Sequence, residues 1–346
     1  MFFGDAFNRY AAANRLIKAV NSYDVKAVQK LLQNGADVNA KDRDGNTALL
    51  TAVNNGSTDI VRLLLDNKAD ADAANKKGDT PLVAAAGNNA ADMTKMLLDK
   101  GARVNAKDGD GNTALITAAA KGYTDVARLL IARKADVNAR NVYGKTALMS
   151  AANGGSYMPL VQLLLDNKAD VNVRSKSGDT ALTLSAFNRK TDTTLALING
   201  GADLEAKNNQ GFTALMLSAY SNIEAMSQLL VSKGADVNAQ NAAGYTALMI
   251  STLGGFTNTM KMLVDNKARV DARNTKGETA LMHAAKSGNA PAAQVLLGKG
   301  ANVHAINNDG QSVQWYAIQS NKPDMLALIQ RAMTPPQKSP RNNGPK

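Results

Sequence analysis

Nine glycines stand at positions 45, 78, 111, 144, 178, 211, 244, 277 and 310, separated by steps of 33 residues except for a single step of 34. A register kept this long means that one structural unit is copied along the chain. Each copy buries its apolar face against the next instead of closing a core of its own. A length of 346 residues therefore points to one repetitive array and not to two or three globular domains.

Most of these glycines open the phrase Gly-x-Thr-Ala-Leu, and a second phrase runs in step with it: Gly35-Ala36-Asp37-Val38-Asn39, Lys134-Ala135-Asp136-Val137-Asn138, Lys168-Ala169-Asp170-Val171-Asn172 and Gly234-Ala235-Asp236-Val237-Asn238. Together they predict a unit of turn, helix, helix and loop. The glycine suits a turn that needs positive φ. The hydroxyl that follows (Thr47, Thr80, Thr113, Thr146, Thr180, Thr213, Thr246, Thr279 and finally Ser312) is placed to cap the next helix, at roughly 1 kcal/mol per cap. Pro81 comes directly after its cap, at the first helical position, where a missing N–H costs nothing. Small residues at Ala52, Ala85, Ala118, Ala151, Ser185, Ser218, Ser251 and Ala284 let paired helices approach, and the column Leu64, Leu97, Leu130, Leu164, Leu197, Leu230, Leu263 and Leu296 fills the space between neighbours.

On these phrases the chain resembles the ankyrin-repeat family, whose unit of about 33 residues opens with Thr-Pro-Leu-His after a β-turn. The resemblance covers residues 12–333 and implies an all-α solenoid of about ten helix-turn-helix units with short β-turn tips. The Thr-Ala-Leu-Met phrasing is similar to that of bacterial members. Where the family has His, this chain has Leu50, Val83, Ile116, Met149, Thr183, Met216, Met249 and Met282, so apolar packing with adaptable Met must replace the usual His hydrogen bonds. Where the family favours Gly before Ala-Asp, Lys68, Lys134, Lys168 and Lys267 appear, at a cost on the order of 1 kcal/mol each if that residue is left-handed. Asn67, Asn167 and Asn266 precede three of them and can relieve part of that strain.

The ends differ from the interior. Residues 1–11 form an apolar leader whose Phe2 and Phe3 are expected to fold over the first repeat. Residues 12–34 read as a helix pair with Asn14, Arg15, Lys18 and Asn21 outward. Trp315 and Tyr316 are expected to close the core, and 334–346 form a Pro-rich basic tail of disordered composition. The single step of 34 places one extra residue in Asn153-Gly154-Gly155-Ser156-Tyr157-Met158-Pro159, which predicts a wider turn inside the fifth pair.

Forty Lys and Arg against twenty-nine Asp and Glu leave a net charge of +11, which favours an acidic partner. The chain has no Cys, which excludes disulfides, thiolate metal sites and a Cys nucleophile. No apolar run approaches the ~18 residues of a membrane helix, so no membrane insertion is expected. The start lacks the basic and apolar regions of a signal peptide, leaving two compartments open: the bacterial periplasm after removal of a signal, or the cytoplasm. Catalytic patterns fail. His283 and His304 fall at positions expected to lie on the surface. Asp108-Gly109-Asp110-Gly111-Asn112 begins like a calcium loop, but Thr113 and Ala119 stand where that loop needs Gly and Glu. Asp37, Asp70, Asp136, Asp170, Asp203 and Asp236 recur once per unit, as a structural loop residue does. No enzyme activity, cofactor or metal is expected.

The resemblance implies that residues flanking the turn glycine, and those ending the first helix of each pair, line the concave side and recognise a partner. At those positions stand Tyr143, Lys145, Lys176, Phe187, Phe212, Tyr220, Tyr245 and Leu253. Aromatic side chains give large contact areas at low entropic cost. The expected function is a protein–protein interaction module, monomeric when free, that holds a folded protein with an acidic surface. One form of this is an inhibitor or self-protection protein that covers an enzyme's active site. A passive scaffold or adaptor is the alternative, and a nucleic-acid binder using the basic surface is a second.

Overall fold

The caps set where the helices begin. Thr47, Thr80, Thr113, Thr146, Thr180, Thr213, Thr246, Thr279 and Ser312 each accept, through the side-chain oxygen, the backbone N–H three residues on. Pro81 takes the first helical position after Thr80. The structure, a computed structural model, describes residues 13–334. The expectations for Phe2, Phe3 and the tail beyond Thr334 lie outside the described residues.

The chain divides into two compact units, Met1–Ala202 and Asp203–Lys346. In the first, six helix pairs follow one another among the described residues: α1 (13–21) and α2 (Val25–Gln33), α3 (Ala48–Asn54) and α4 (Thr58–Asp66), α5 (Pro81–Gly87) and α6 (Ala91–Asp99), α7 (Ala114–Lys121) and α8 (Thr124–Ala132), α9 (Ala147–Asn153) and α10 (Met158–Asp166), α11 (Ala181–Phe187) and α12 (Thr191–Asn199). The second holds four: α13 (Ala214–Tyr220) and α14 (Glu224–Ser232), α15 (Ala247–Leu253) and α16 (Thr257–Asp265), α17 (Ala280–Ser287) and α18 (Ala290–Gly298), α19 (Val313–Gln319) and α20 (Pro323–Met333). Within each unit, first helices pack on first helices and second on second, as α3 on α5 on α7 and α16 on α18 on α20. The described residues contain no strand; two isolated bridges, Lys107 with Thr113 and Ile306 with Ser312, brace turn tips. The fold is the expected all-α repeat array.

The core follows the columns of the sequence. The Ala/Ser column and the Leu column are fully buried, and so are Met149, Met216, Met249 and Met282 in the place of the family's His. Burying a large apolar side chain is worth about 1.5–3 kcal/mol, and here that gain arises only when neighbouring repeats stack.

Hydrogen-bond ladders join successive repeats. Asn39 Oδ1 accepts the Asp70 N–H at 2.7 Å, Asn138 Oδ1 the Asp170 N–H at 2.8 Å, and Asn238 Oδ1 the Arg269 N–H at 2.7 Å. A second ladder uses long side chains that reach forward to a backbone carbonyl. Lys41 Nζ donates to Ala74 O at 2.7 Å, Lys107 Nζ to Arg140 O at 2.9 Å, Arg140 Nη2 to Arg174 O at 2.6 Å, Lys207 Nζ to Gln240 O at 2.9 Å and Arg273 Nη2 to Ile306 O at 2.6 Å. Part of the basic surplus is therefore engaged in holding repeats together. The recurrent aspartates act locally, as when Asp37 Oδ1 accepts the Asn39 N–H at 3.0 Å.

Lys68, Lys134, Lys168 and Lys267 are left-handed, with φ of 66°, 65°, 63° and 69°. Asn67, Asn167 and Asn266 each donate a side-chain N–H, at 2.8 Å, to the carbonyl four residues back, which ties down the helix end just before the strained lysine. The inserted residue gives a four-residue link from α9 to α10. Its Tyr157 ring lies against Gly122, Gly154 and Gly155 so closely that none of the three could carry a Cβ. The wider turn thus seats an aromatic ring.

Two expectations are corrected. His283 is buried, 4% exposed, because Tyr245 from the preceding repeat stacks on it and residues of its own turn enclose it. Trp315 does not close the core: Tyr316 is buried, while Trp315 meets it edge-on at 5.0 Å and stays exposed. His304 is exposed as expected, and so are Asn14, Arg15, Lys18 and Asn21 on α1.

Candidate functional site

Asparagine side chains shape the turns that carry the predicted contact residues. In the first unit Asn141 Oδ1 accepts the N–H groups of Tyr143 at 3.0 Å and Lys145 at 2.9 Å, a local turn that competes with helix and sets both residues at the tip. Tyr143 O accepts the Lys176 N–H at 2.9 Å, so these two predicted residues lie on adjacent, hydrogen-bonded tips. Tyr143 and Lys176 are exposed and Lys145 is half-buried. Phe187 is the last residue of α11 and is more than half exposed.

The second unit repeats the design. Asn208 Oδ1 accepts the Phe212 N–H at 3.0 Å, and Asn241 Oδ1 accepts the Tyr245 N–H at 2.9 Å. Phe212 and Tyr245 occupy equivalent places in successive turns, and both are half-buried. Tyr220 and Leu253 end α13 and α15, which pack together, and both are more than half exposed. In other repeats the same place holds Asn54, Gly87, Ala120 or Asn153. Packing does not require a large apolar residue there.

Gly211 shows why the tips are so close. It has φ of 80°, and a Cβ on it would overlap the backbone nitrogen of Ala242 in the next tip. Only glycine meets both conditions.

Beneath the Tyr245 tip lies a polar cluster that sequence reading missed. Tyr245 stacks on His283 with centroids 5.4 Å apart. His283 Nε2 is buried without a hydrogen-bond partner, 3.9 Å from Glu278 Oε2. Glu278 accepts from Asn274 Nδ2 at 2.8 Å and from the Tyr316 hydroxyl at 2.9 Å. Burial holds the His283 imidazole below its ordinary pKa; the Glu278 charge opposes this and the Lys286 charge adds to it. Burial alone would raise the Glu278 carboxyl, but the Asn274 and Tyr316 hydrogen bonds, with the His283 and Lys286 charges, bring it below the usual range. Burial and the bond to Glu278 push the Tyr316 hydroxyl up to about 12. The signal was available in the 33-residue columns, where Tyr316 stands one repeat after His283 and Glu278 one repeat after Tyr245.

Asp108, at the head of the calcium-like phrase, accepts the N–H groups of Asp110 at 3.0 Å and Asn112 at 2.7 Å and is engaged in its turn. Among the described residues no group of three or more His, Asp or Glu could hold a metal ion, and no helix is long and apolar enough to cross a membrane.

The family model of ankyrin repeats (3 copies) matches residues 16–108, 104–175, 150–241, 228–307 and 248–338. No curated protein matches the chain.

Proposed function

The chain belongs to the ankyrin-repeat family, whose repeats mark a protein–protein interaction module, and on that premise we propose that it binds a folded protein through turn tips and first-helix ends. The observation that carries this reading is the exposure of Phe187, Tyr220 and Leu253 at helix ends where the fold elsewhere is content with Asn, Gly, Ala, Lys or Gln. Large apolar side chains held on rigid helix ends lose little entropy on binding and supply contact hot spots. The net charge of +11 favours an acidic partner and speeds its approach. In the finer form of the proposal the partner is an enzyme, and the bound array covers its active-site cleft. Catalysis by the chain itself is not part of this reading. The cluster of Glu278, His283 and Tyr316 is buried.

The test is capture of partners from the extract of the source organism by the immobilised chain, with a Tyr143→Ala/Phe187→Ala/Tyr220→Ala triple variant as control. A protein retained by the native chain and lost by the variant supports the reading. Equal retention by both removes these residues from the contact. For a captured enzyme, loss of turnover at one-to-one mixing supports occlusion, and full activity in the saturated complex leaves a scaffold. Retention of DNA or RNA alone, lost at high salt, would favour the basic surface instead.

A further inference from the structure

Every interior repeat buries two columns of its first helix against the repeat that follows. In the second unit one column holds Met216, Met249 and Met282, and the other Ala219, Thr252 and Ala285, all buried. α19 continues these columns with Trp315 and Ile318, but here the side chains are 40% and 50% exposed, because no further helix pair follows among the described residues. The forward-reaching ladder ends in the same way. Gln240 and Arg273 each donate to the next repeat, whereas the next place in that column is Ile306, 53% exposed. The second unit therefore ends on an apolar face: Trp315 and Ile318 stand at positions that it buries in its other repeats, and Ile306 stands beside them at a position that is exposed but polar in Lys207, Gln240 and Arg273.

A repeat array needs polar terminal faces to stay dispersed. The first unit obeys this rule: the column that holds buried Ala48, Pro81 and Ala114 begins with exposed Arg15. The last repeat does not.

We propose that the face formed by Ile306, Trp315 and Ile318 seats a second copy of this chain, with α19 packed on the α19 of that copy about a two-fold axis. Continuity of the columns names the occupant. At each interior step the Trp315 and Ile318 positions receive a helix pair of this same sequence, so the terminal face presents the surface that such a pair covers. The symmetry follows from charge. A head-to-tail contact would bring α1 onto the face and bury Arg15 and Lys18 against Trp315 and Ile318, which is strongly unfavourable. A two-fold contact sets apolar against apolar and closes after two copies. It uses none of the residues assigned to partner binding and stands independently of that assignment.

Trp315 is the sole tryptophan, so the contact carries its own reporter. The experiment is sedimentation velocity of the full chain with tryptophan emission over ~1–100 μM, the range of small interfaces. The expected result is a mass rising from one chain towards two, with emission shifting to the blue over the same range. Ile318→Glu and Ile306→Glu, each at an exposed position, should weaken association at least tenfold with unchanged melting temperature. Arg15→Glu should leave the mass unaltered. A single-chain mass with concentration-independent emission throughout overturns the proposal, whether the face is then bare or covered by residues after 334. Association that survives both Glu variants, or that responds to Arg15→Glu, overturns it as well.

Discussion

Tyr245 and His283 stack with ring centroids 5.4 Å apart and planes inclined by 24°, so a turn residue of one repeat rests on the first helix of the next. This contact divides the predicted contact residues into two kinds. Tyr143, Phe187, Tyr220 and Leu253 are exposed, whereas Phe212 and Tyr245 are half-buried.

Tyr245→Ala is expected to lower stability by about 2 kcal/mol, through lost burial and a lost aromatic pair. Tyr220→Ala should stay within ~0.5 kcal/mol of the native protein. Chemical denaturation of the two variants measures the difference. Equal stability would mean that the stack contributes nothing.

The His283 cluster makes stability depend on pH in a defined window. The unfolded chain protonates this imidazole near its ordinary value of 6.5, while the folded chain holds it neutral to lower pH. Its contribution is present above 6.5 and is lost as pH falls below that value. Glu278, also held low, adds a second loss as pH falls below 4.5. Tyr316 acts in the opposite sense: its contribution is present below 10 and is lost as pH rises towards 12. Melting temperature followed from pH 7 to pH 5 should fall for the native chain and fall less for His283→Phe. Parallel slopes would exonerate His283.

Backbone strain gives a paired prediction. Lys168→Gly relieves a left-handed lysine and should raise stability by about 1 kcal/mol. Gly211→Ala adds a Cβ both at positive φ and against the Ala242 nitrogen, and should cost more than ~2 kcal/mol. Denaturant midpoints read both changes, which have opposite signs although each exchanges one residue at a turn.

Arg140 and Arg128 carry the same charge with different duties. Arg140 donates to Gly144 O at 3.2 Å and to Arg174 O at 2.6 Å, while Arg128 stands exposed on α8. Arg140→Ala is expected to lower stability by ~1–2 kcal/mol and Arg128→Ala by less than ~0.5 kcal/mol. Thermal melts at low and high salt separate the two. An equal effect that salt abolishes would assign both residues to the general electrostatic field.

The repeat, the caps, the Leu column and the strained lysines were legible because each depends on residues close together in one unit. Thr47 caps three residues on, and Asn67 ties down the helix end immediately before Lys68. The column of His283 gives a mixed signal, with half-exposed Thr51, Ala84 and Ser150 in the first unit but buried Leu217 and Ile250 in the second. Part of its burial comes from Tyr245 in the preceding repeat. Trp315 is the complementary case. Tryptophan suits a core only where a following repeat covers it, and none follows among the described residues. A net charge does not tell which basic residues are engaged, and Lys41, Lys107, Arg140, Lys207 and Arg273 reach across to the next repeat. Individual contact residues could be placed on tips and helix ends by register alone, but whether a side chain there projects or packs depends on its neighbours in space.

The buried column of Met149, Met216, Met249 and Met282 has a chemical consequence. An oxidant reaches these thioethers only when the repeats on either side part, and the sulfoxide that forms is too polar to return to a dry core. Each methionine therefore records the opening of its own repeat. Peroxide treatment followed by peptide mass mapping would show which repeats breathe first, with the oxidised fraction at each position serving as the clock.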